Sequence, residues 1–250
     1  MVRRWALAWW RILYLGAVVC VLVLSPSSYG KVTRRALARH LYLDTAPVLL
    51  GFTVLAALIS LVLTRIVVVT AISYGLSRYA LEMVIRVLVL ELIPLTAALF
   101  VAMRCTIPNG TQLALLRQSG HLARLSHAGA DPIRVELLPR AVAGVFACIT
   151  LAALSCVVAL VLAYLGVYGF SLAGLPSYTR MFGHVFAPAV TLVFVIKTVL
   201  FSLAVALIPM AAGLYDTGER TQPDSELGGL ARMFAVLLLI EIGSLVGNYY

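Results

Sequence analysis

Apolar blocks separated by short polar and basic connections dominate the pattern of this chain. Five blocks are long enough to cross a bilayer, which takes about 20 residues as helix: Pro47–Tyr74, Tyr79–Met103, Ala141–Gly166, Ala187–Leu214 and Leu230–Gly247. They are apolar on every face and lack the two-residue alternation of a barrel strand, so the pattern predicts helices. A further block, Ile12–Leu24, is cut short by Arg11. It predicts a helix lying in the membrane interface, with Trp5, Trp9 and Trp10 as anchors at headgroup depth. No small-x-small cleavage site follows that block, so its removal as a signal peptide is not expected.

The connections order these blocks. A tight turn is expected at Gly75–Arg78, a Gly/Pro/Tyr-bearing loop at Val167–Phe186 and a short polar loop at Tyr215–Gly229. The chain therefore reads as one all-α integral membrane domain over residues 1–250: an interfacial helix and basic elbow (1–40), two spans (47–103), a polar connection (104–140) and three more spans (141–250). Basic residues concentrate on the cytoplasmic side of membrane proteins. Arg3, Arg4, Lys31, Arg34, Arg35 and Arg39 lie at both ends of the first helix, which fits a helix that does not cross. Arg104, Arg117, Arg124, Arg134 and Arg140 place the long connection in the cytoplasm, leaving the Arg180 loop and the C-terminus outside.

Composition agrees with the pattern. Hydrophobic residues make up 62% of the chain and charged ones 12%, with a mean hydropathy of +1.03; a soluble domain carries about twice that share of charge. The net charge of +9 would raise nucleic-acid binding in a soluble protein. Here the arginines serve orientation, no nucleic-acid motif is present, and no nucleic-acid partner is expected. Cys20, Cys105, Cys148 and Cys156 show no metal spacing and read as small buried hydrophobes. Cys148 and Cys156 would stand about 12 Å apart on one helix, too far to bridge.

Some chemistry is missing. Ser25–Thr33 reads Ser-Pro-Ser-Ser-Tyr-Gly-Lys-Val-Thr, in which Ser25 and Val32 occupy the places where a phosphate-binding loop needs Gly and Ser or Thr. No paired catalytic carboxylates or nucleophile elbow occur, and His40, His121, His127 and His184 are scattered. No catalytic residue, metal or cofactor is expected.

Other features carry candidate function. Arg65, Glu82, Arg86, Glu91, Lys197 and Glu241 interrupt apolar blocks, and a charge at mid-bilayer costs about 3 kcal/mol unless it meets a partner or a wet cavity. Counted from the outer end of each span, Glu91 and Lys197 fall at equal depth, Arg65 close to them and Glu241 shallower. This clustering predicts a polar chamber opening away from the cytoplasm. Arg65 with Glu91 and Glu82 with Arg86 read equally as neutralising pairs. In the chamber reading Arg65 binds a lipid phosphate, with acyl chains along Val69, Leu88 and Leu95. Gly243 and Gly247 form a small-xxx-small face, which suits a dimer contact as well as packing within the chain. In the cytoplasmic connection, Leu116, Leu122 and Leu125 belong to a partial apolar face, bounded by turn signals at Pro108-Asn109-Gly110 and Ala130-Asp131-Pro132.

The segment Glu91–Arg140 resembles the MlaE (YrbE) permeases, the membrane subunits of Mce-linked lipid ABC transporters. Glu91-Leu-Ile-Pro94 is similar to that family's Glu-Leu-Gly-Pro, and Arg104 falls on a motif arginine. The likeness continues through Leu115, Arg117, Leu122 and Leu125 to Asp131-Pro132 and Pro139-Arg140. Lys197 and Phe201 are similar to the family's Lys-x-x-x-Phe-Gly, with Ser202 in place of the glycine, and Gly213, Arg232 and Glu241 also find counterparts. The resemblance implies an N-terminal interfacial helix with five spans, located in the bacterial inner membrane. It further implies a second permease copy or paralogue, a cytoplasmic pair of ABC ATPase subunits, a periplasmic ring of Mce-domain proteins, and phospholipid as cargo. Gln112, Leu116, Arg117, Leu122, Leu125 and Asp131 would belong to the ATPase-coupling segment.

The chain also departs from the family. Gln112 replaces an acidic residue, Ser119-Gly120-His121 replaces Thr-Glu-Gln, and Leu90 stands where an arginine precedes the glutamate. A diverged member and one half of a heteromeric pair both accommodate these changes. An ion-coupled secondary transporter using Glu91, Arg65 and Lys197, or a structural scaffold of a membrane complex, are the alternatives; the absence of internal repeats weighs against the first.

Overall fold

A backbone in lipid has no water to satisfy its N–H and C=O groups, and each apolar block meets that demand as a helix. The computed structural model describes residues 2–25, 30–215 and 223–249. Five helices are long and apolar enough to cross a membrane: Thr33–Ser73, Tyr79–Gln118, Ile133–Tyr168, Pro188–Tyr215 and Gly228–Asn248, called spans one to five below. A helix over Val2–Leu24, with Trp9–Leu24 as its apolar part, precedes them. There is no strand among the described residues. The all-α membrane architecture expected from the pattern is the one observed. The side chains of Arg3, Arg4, Trp5 and Lys31, and residues 26–29, 216–222 and 250, to which the sequence assigns parts in orientation, anchoring or loops, lie outside the described residues.

The helices run past the expected boundaries at three places. The basic elbow is continuous with span one in a single helix, Lys31–Ser73, with Pro47 inside it. A proline removes one ladder hydrogen bond, and a long membrane helix tolerates that loss where its surroundings re-satisfy the backbone. Span two continues through Pro108-Asn109-Gly110 to Gln118. Wide π-helical turns explain this: Ile85–Leu92, Ala102–Thr106 and Ile133–Leu137 each end two residues before a proline, namely Pro94, Pro108 and Pro139. A proline ring collides with the carbonyl four residues back, and a wider turn relieves the collision without ending the helix. The expected loop at Val167–Phe186 contains a helix, Leu175–Val185, opened by Pro176 in its first turn. Tyr178 on that helix donates to the Leu160 carbonyl at 2.9 Å, and burial pushes its hydroxyl up to about 12.

The chain divides into two compact units, and each span contributes a stretch to both. The first comprises Met1–Val48, Leu99–Cys148 and Ser202–Leu239. In its core, Leu15, Val19 and Leu22 of the N-terminal helix pack with Leu113, Leu138 and Met210. The other face of that helix is exposed at Trp10, Leu13, Val21 and Leu24. Spans two and four meet here at backbone distance. A Cβ on Gly110 would lie 2.6 Å from the Pro209 carbonyl oxygen, and one on Gly213 would overlap the Gly110 carbonyl.

The second unit comprises Leu49–Ala98, Ile149–Phe201 and Ile240–Tyr250. Ile85, Leu88, Val89 and Ile93 of span two pack there with Ala159 and Ala163 of span three and with Val185. Cys105, Cys148 and Cys156 are buried as expected of small hydrophobes, whereas Cys20 is exposed on the outward side of the N-terminal helix; all four are free thiols.

Candidate functional site

Span four carries one charged residue, Lys197, and it is 1% exposed. An ammonium so placed must be compensated. Its compensation comes from two other spans of the second unit. Glu91 of span two accepts a short hydrogen bond from Lys197 Nζ. Glu241 Oε2 of span five lies 2.9 Å from the same nitrogen. The Leu90 carbonyl accepts a third contact at 3.2 Å. One turn along span four, the Phe201 ring sits 5.7 Å from Nζ, in cation–π range.

Local sequence explains one open carbonyl in this stretch. Ile93 N–H bonds the Leu88 carbonyl five residues back, and Pro94, next in that register, has no N–H for Val89, whose carbonyl takes the Cys156 thiol at 3.7 Å instead. Glu91 and Leu90 both fall in the π-helical stretch Ile85–Leu92, so the carboxylate and the carbonyl reach one ammonium from adjacent positions. On span five, Glu241, Ser244 and Asn248 follow at intervals of three and four residues and so share a face. Asn248 Nδ2 donates to Glu91 Oε1 at 3.4 Å. The cluster holds two carboxylates and one ammonium, and the exposure is uneven: 13% for Glu91 and 14% for Glu241 against 1% for Lys197.

The structure thus brings together Glu91, Lys197 and Glu241 of the sequence-derived candidates. The expected Arg65–Glu91 pair is not formed. Arg65 lies on an exposed face of span one, and Glu91 is taken by Lys197. The expected Glu82–Arg86 pair is present at 3.1 Å. Leu88 is buried in the core of the second unit, Leu95 is half-buried and Val69 is 60% exposed. The apolar pattern does not single out Asn248, because it stands near the end of the last block. The signal for it is spacing, two helical turns from Glu241 on the same face.

A second polar network lies in the first unit. Asn109 Nδ2 donates to Asp44 Oδ2 at 2.9 Å, the Cys105 thiol donates to the Asp44 carbonyl at 3.1 Å, and His40 Nδ1 is 3.9 Å from the Asp44 carboxylate. Arg140, 7% exposed, pairs with Glu136 at 2.9 Å, and Glu136 also lies 3.7 Å from His121. The first set joins the start of span one to span two, and the second joins the helix His121–His127 to the start of span three. Among the coupling candidates, Gln112 is exposed, while Leu116, Arg117, Leu122 and Leu125 are half-buried. Leu122 packs on the core of this unit. Asp131 accepts a hydrogen bond from the Ile133 N–H at 3.0 Å and pairs with Arg134 at 3.7 Å, which orients the start of span three. On span five, a Cβ at Gly243 would meet nothing within 4 Å, and one at Gly247 would touch Val193 at an ordinary 3.7 Å. No group of three or more metal-ligating side chains is assembled among the described residues.

The family model described as Permease MlaE matches residues 37–245. Comparison with curated proteins gives no match. The matched range takes in all five spans almost completely, together with the residues of both polar networks and the coupling candidates; Gly247 and Asn248 fall just beyond it.

Proposed function

Because the chain belongs to the MlaE permease family, we propose that it is the membrane subunit of an ATP-driven transporter moving phospholipid between the bacterial inner membrane and the periplasm or outer membrane. The subunit carries lipid and takes its energy from a cytoplasmic ATPase pair. A second permease copy or paralogue completes the membrane part, and a periplasmic ring of Mce-domain proteins receives or delivers the cargo. The observation that carries this reading is the charged cluster of Lys197, Glu91 and Glu241 inside an otherwise apolar unit. Such a cluster is costly to keep in lipid, and a headgroup site is a use that justifies it.

Arg65, with Val69, Leu88 and Leu95, is assigned to the wall of a lipid chamber, with the exposed guanidinium as a phosphate ligand. The connection that includes Gln112, Leu116, Arg117, Leu122, Leu125 and Asp131 is assigned to ATPase docking. Its support is the network that ties His121 through Glu136 to Arg140. Gly243 is assigned to the contact with the second permease copy, since its open side accepts a close neighbour.

Native purification followed by mass spectrometry tests the reading. The expected result is co-elution of an ABC ATPase, an Mce-domain protein and phospholipid, with lipid transfer that stops without ATP. Transfer driven by an ion gradient in the absence of any bound ATPase would overturn it in favour of a secondary transporter.

A further inference from the structure

The charged cluster does not present its positive charge to an incoming ligand. Lys197 is 1% exposed and closed in by Glu91, Glu241 and the Leu90 carbonyl, so no further group reaches its ammonium. What remains accessible are the two carboxylates, at 13% and 14%. The count of charge points the same way: two carboxylates face one ammonium, so the cluster carries an uncompensated negative charge when all three are ionised.

The remaining hydrogen-bonding capacity includes acceptors that no group of the chain fills. Glu241 Oε2 is held by Lys197 Nζ at 2.9 Å, and since Glu91 draws on the same ammonium, one carboxylate of the two has no cation of its own. Ser244 Oγ and Asn248 Oδ1, on the same face of span five, are buried and without a partner, Ser244 being only 6% exposed. Buried polar oxygens of this kind are ordinarily satisfied, and their occurrence together calls for a donor supplied from outside the chain. A phosphate supplies none. It would bring negative charge against two carboxylates and offer no donor to Asn248 Oδ1, even where the Ser244 hydroxyl turned to donate to it.

Resting on the reading above that this cluster meets lipid headgroups, we propose that it binds the primary ammonium of a phosphoethanolamine-type headgroup, and so favours amine-bearing zwitterionic phospholipids over anionic ones. The ammonium brings one positive charge and three N–H donors, which match the surplus charge of the carboxylates and the unspent oxygens of Ser244 and Asn248. The phosphate of the same headgroup is then left to groups outside the cluster. Selectivity arises by repulsion as much as by attraction, because an anionic headgroup placed here meets like charge in a medium of low dielectric.

The test is a competition for retention on the full chain purified with its partner subunits. The complex is extracted into detergent doped with equal amounts of phosphatidylethanolamine, phosphatidylglycerol and phosphatidylcholine of identical acyl composition, and bound lipid is counted by native mass spectrometry. The expected result is retention of phosphatidylethanolamine over phosphatidylglycerol by about tenfold, the scale of one charged hydrogen bond. Phosphatidylcholine, which keeps the charge and loses the N–H donors, should fall between them. Glu241→Gln should bring the ratio of the first two lipids toward one. Equal retention of phosphatidylglycerol, or an unchanged ratio in Glu241→Gln, overturns the ammonium site and leaves the surplus charge to be met by a proton, with the headgroup reading intact. No retained lipid of any class overturns both. Should Glu241→Gln fail to fold, the wild-type competition decides alone.

Discussion

Lys197 of span four donates to the Leu90 carbonyl of span two at 3.2 Å, inside the wide turn that ends two residues before Pro94. Replacing Pro94 with alanine restores a backbone N–H at the end of that turn. It also removes the ring that favours the wide turn over Ile85–Leu92. Pro94→Ala is expected to leave the melting temperature of the purified chain within a few degrees of wild type, since a small helix-former replaces a helix-breaker. Retained lipid should drop several-fold, because Glu91 and Lys197 lose their shared register. Unchanged lipid retention and transport in Pro94→Ala would show that the proline has no part in presenting the site.

The charges of the cluster are expected to depend on each other rather than to add. Removing only Lys197, as in Lys197→Met, leaves two carboxylates in an apolar surround and should destabilise the chain by about 3–5 kcal/mol. Neutralising all three groups, Lys197→Met with Glu91→Gln and Glu241→Gln, should recover most of that loss, because no orphaned charge remains. Denaturation of the detergent-solubilised chain measures both. A triple variant no more stable than the single one would mean that the loss lies in packing around Phe201 and not in charge.

The glycines divide into two kinds that one substitution separates. Gly213→Ala drives a methyl into the Gly110 carbonyl of span two, with backbone on both sides and no flexible side chain to yield. Its expected cost is about 1–3 kcal/mol. Gly243→Ala meets open space and should be neutral in the isolated chain. The larger Gly243→Ile should leave the chain folded while weakening association with a second permease copy, read as a shift from dimer to monomer in native mass spectrometry. A dimer indifferent to Gly243→Ile would move the contact elsewhere.

Hydropathy and helical rise are enough to place the spans and most of the charged cluster. Blocks of about 20 apolar residues set the spans, and counting along each axis puts Glu91 and Lys197 at one depth, with Glu241 shallower in the same half of the membrane. Axial depth says nothing about azimuth, however. Arg65 and Lys197 fit Glu91 equally well by height, and the faces of spans one and four choose between them: Arg65 is turned to the exposed side and Lys197 to the interior. Local turn signals mislead at Pro108-Asn109-Gly110, where the preceding π turn absorbs the proline and the helix continues. Asn109, a turn residue by its neighbours, is instead buried and holds Asp44. Its partner is 65 residues away, a separation no window along the sequence can bridge.

The segment proposed to dock the ATPase yields the sharpest separation of folding from function. Leu116 and Leu122 are both half-buried, but only Leu122 packs on the core of its unit. An acidic residue at Leu122 therefore confounds docking with stability, since burying an unpaired carboxylate is costly in itself. Leu116 offers the cleaner probe. Leu116→Glu should leave the melting temperature and lipid retention of the chain near wild type while reducing ATP-dependent lipid transfer by roughly tenfold or more, the effect of disrupting one well-buried interface contact. ATP hydrolysis by the bound partner should persist but lose its response to lipid. Leu122→Glu should lower transfer and stability together. Transfer and lipid-stimulated hydrolysis that survive Leu116→Glu unchanged would remove Gln112–Gln118 from the docking surface and leave the shorter helix His121–His127 as the part of the connection that meets the ATPase.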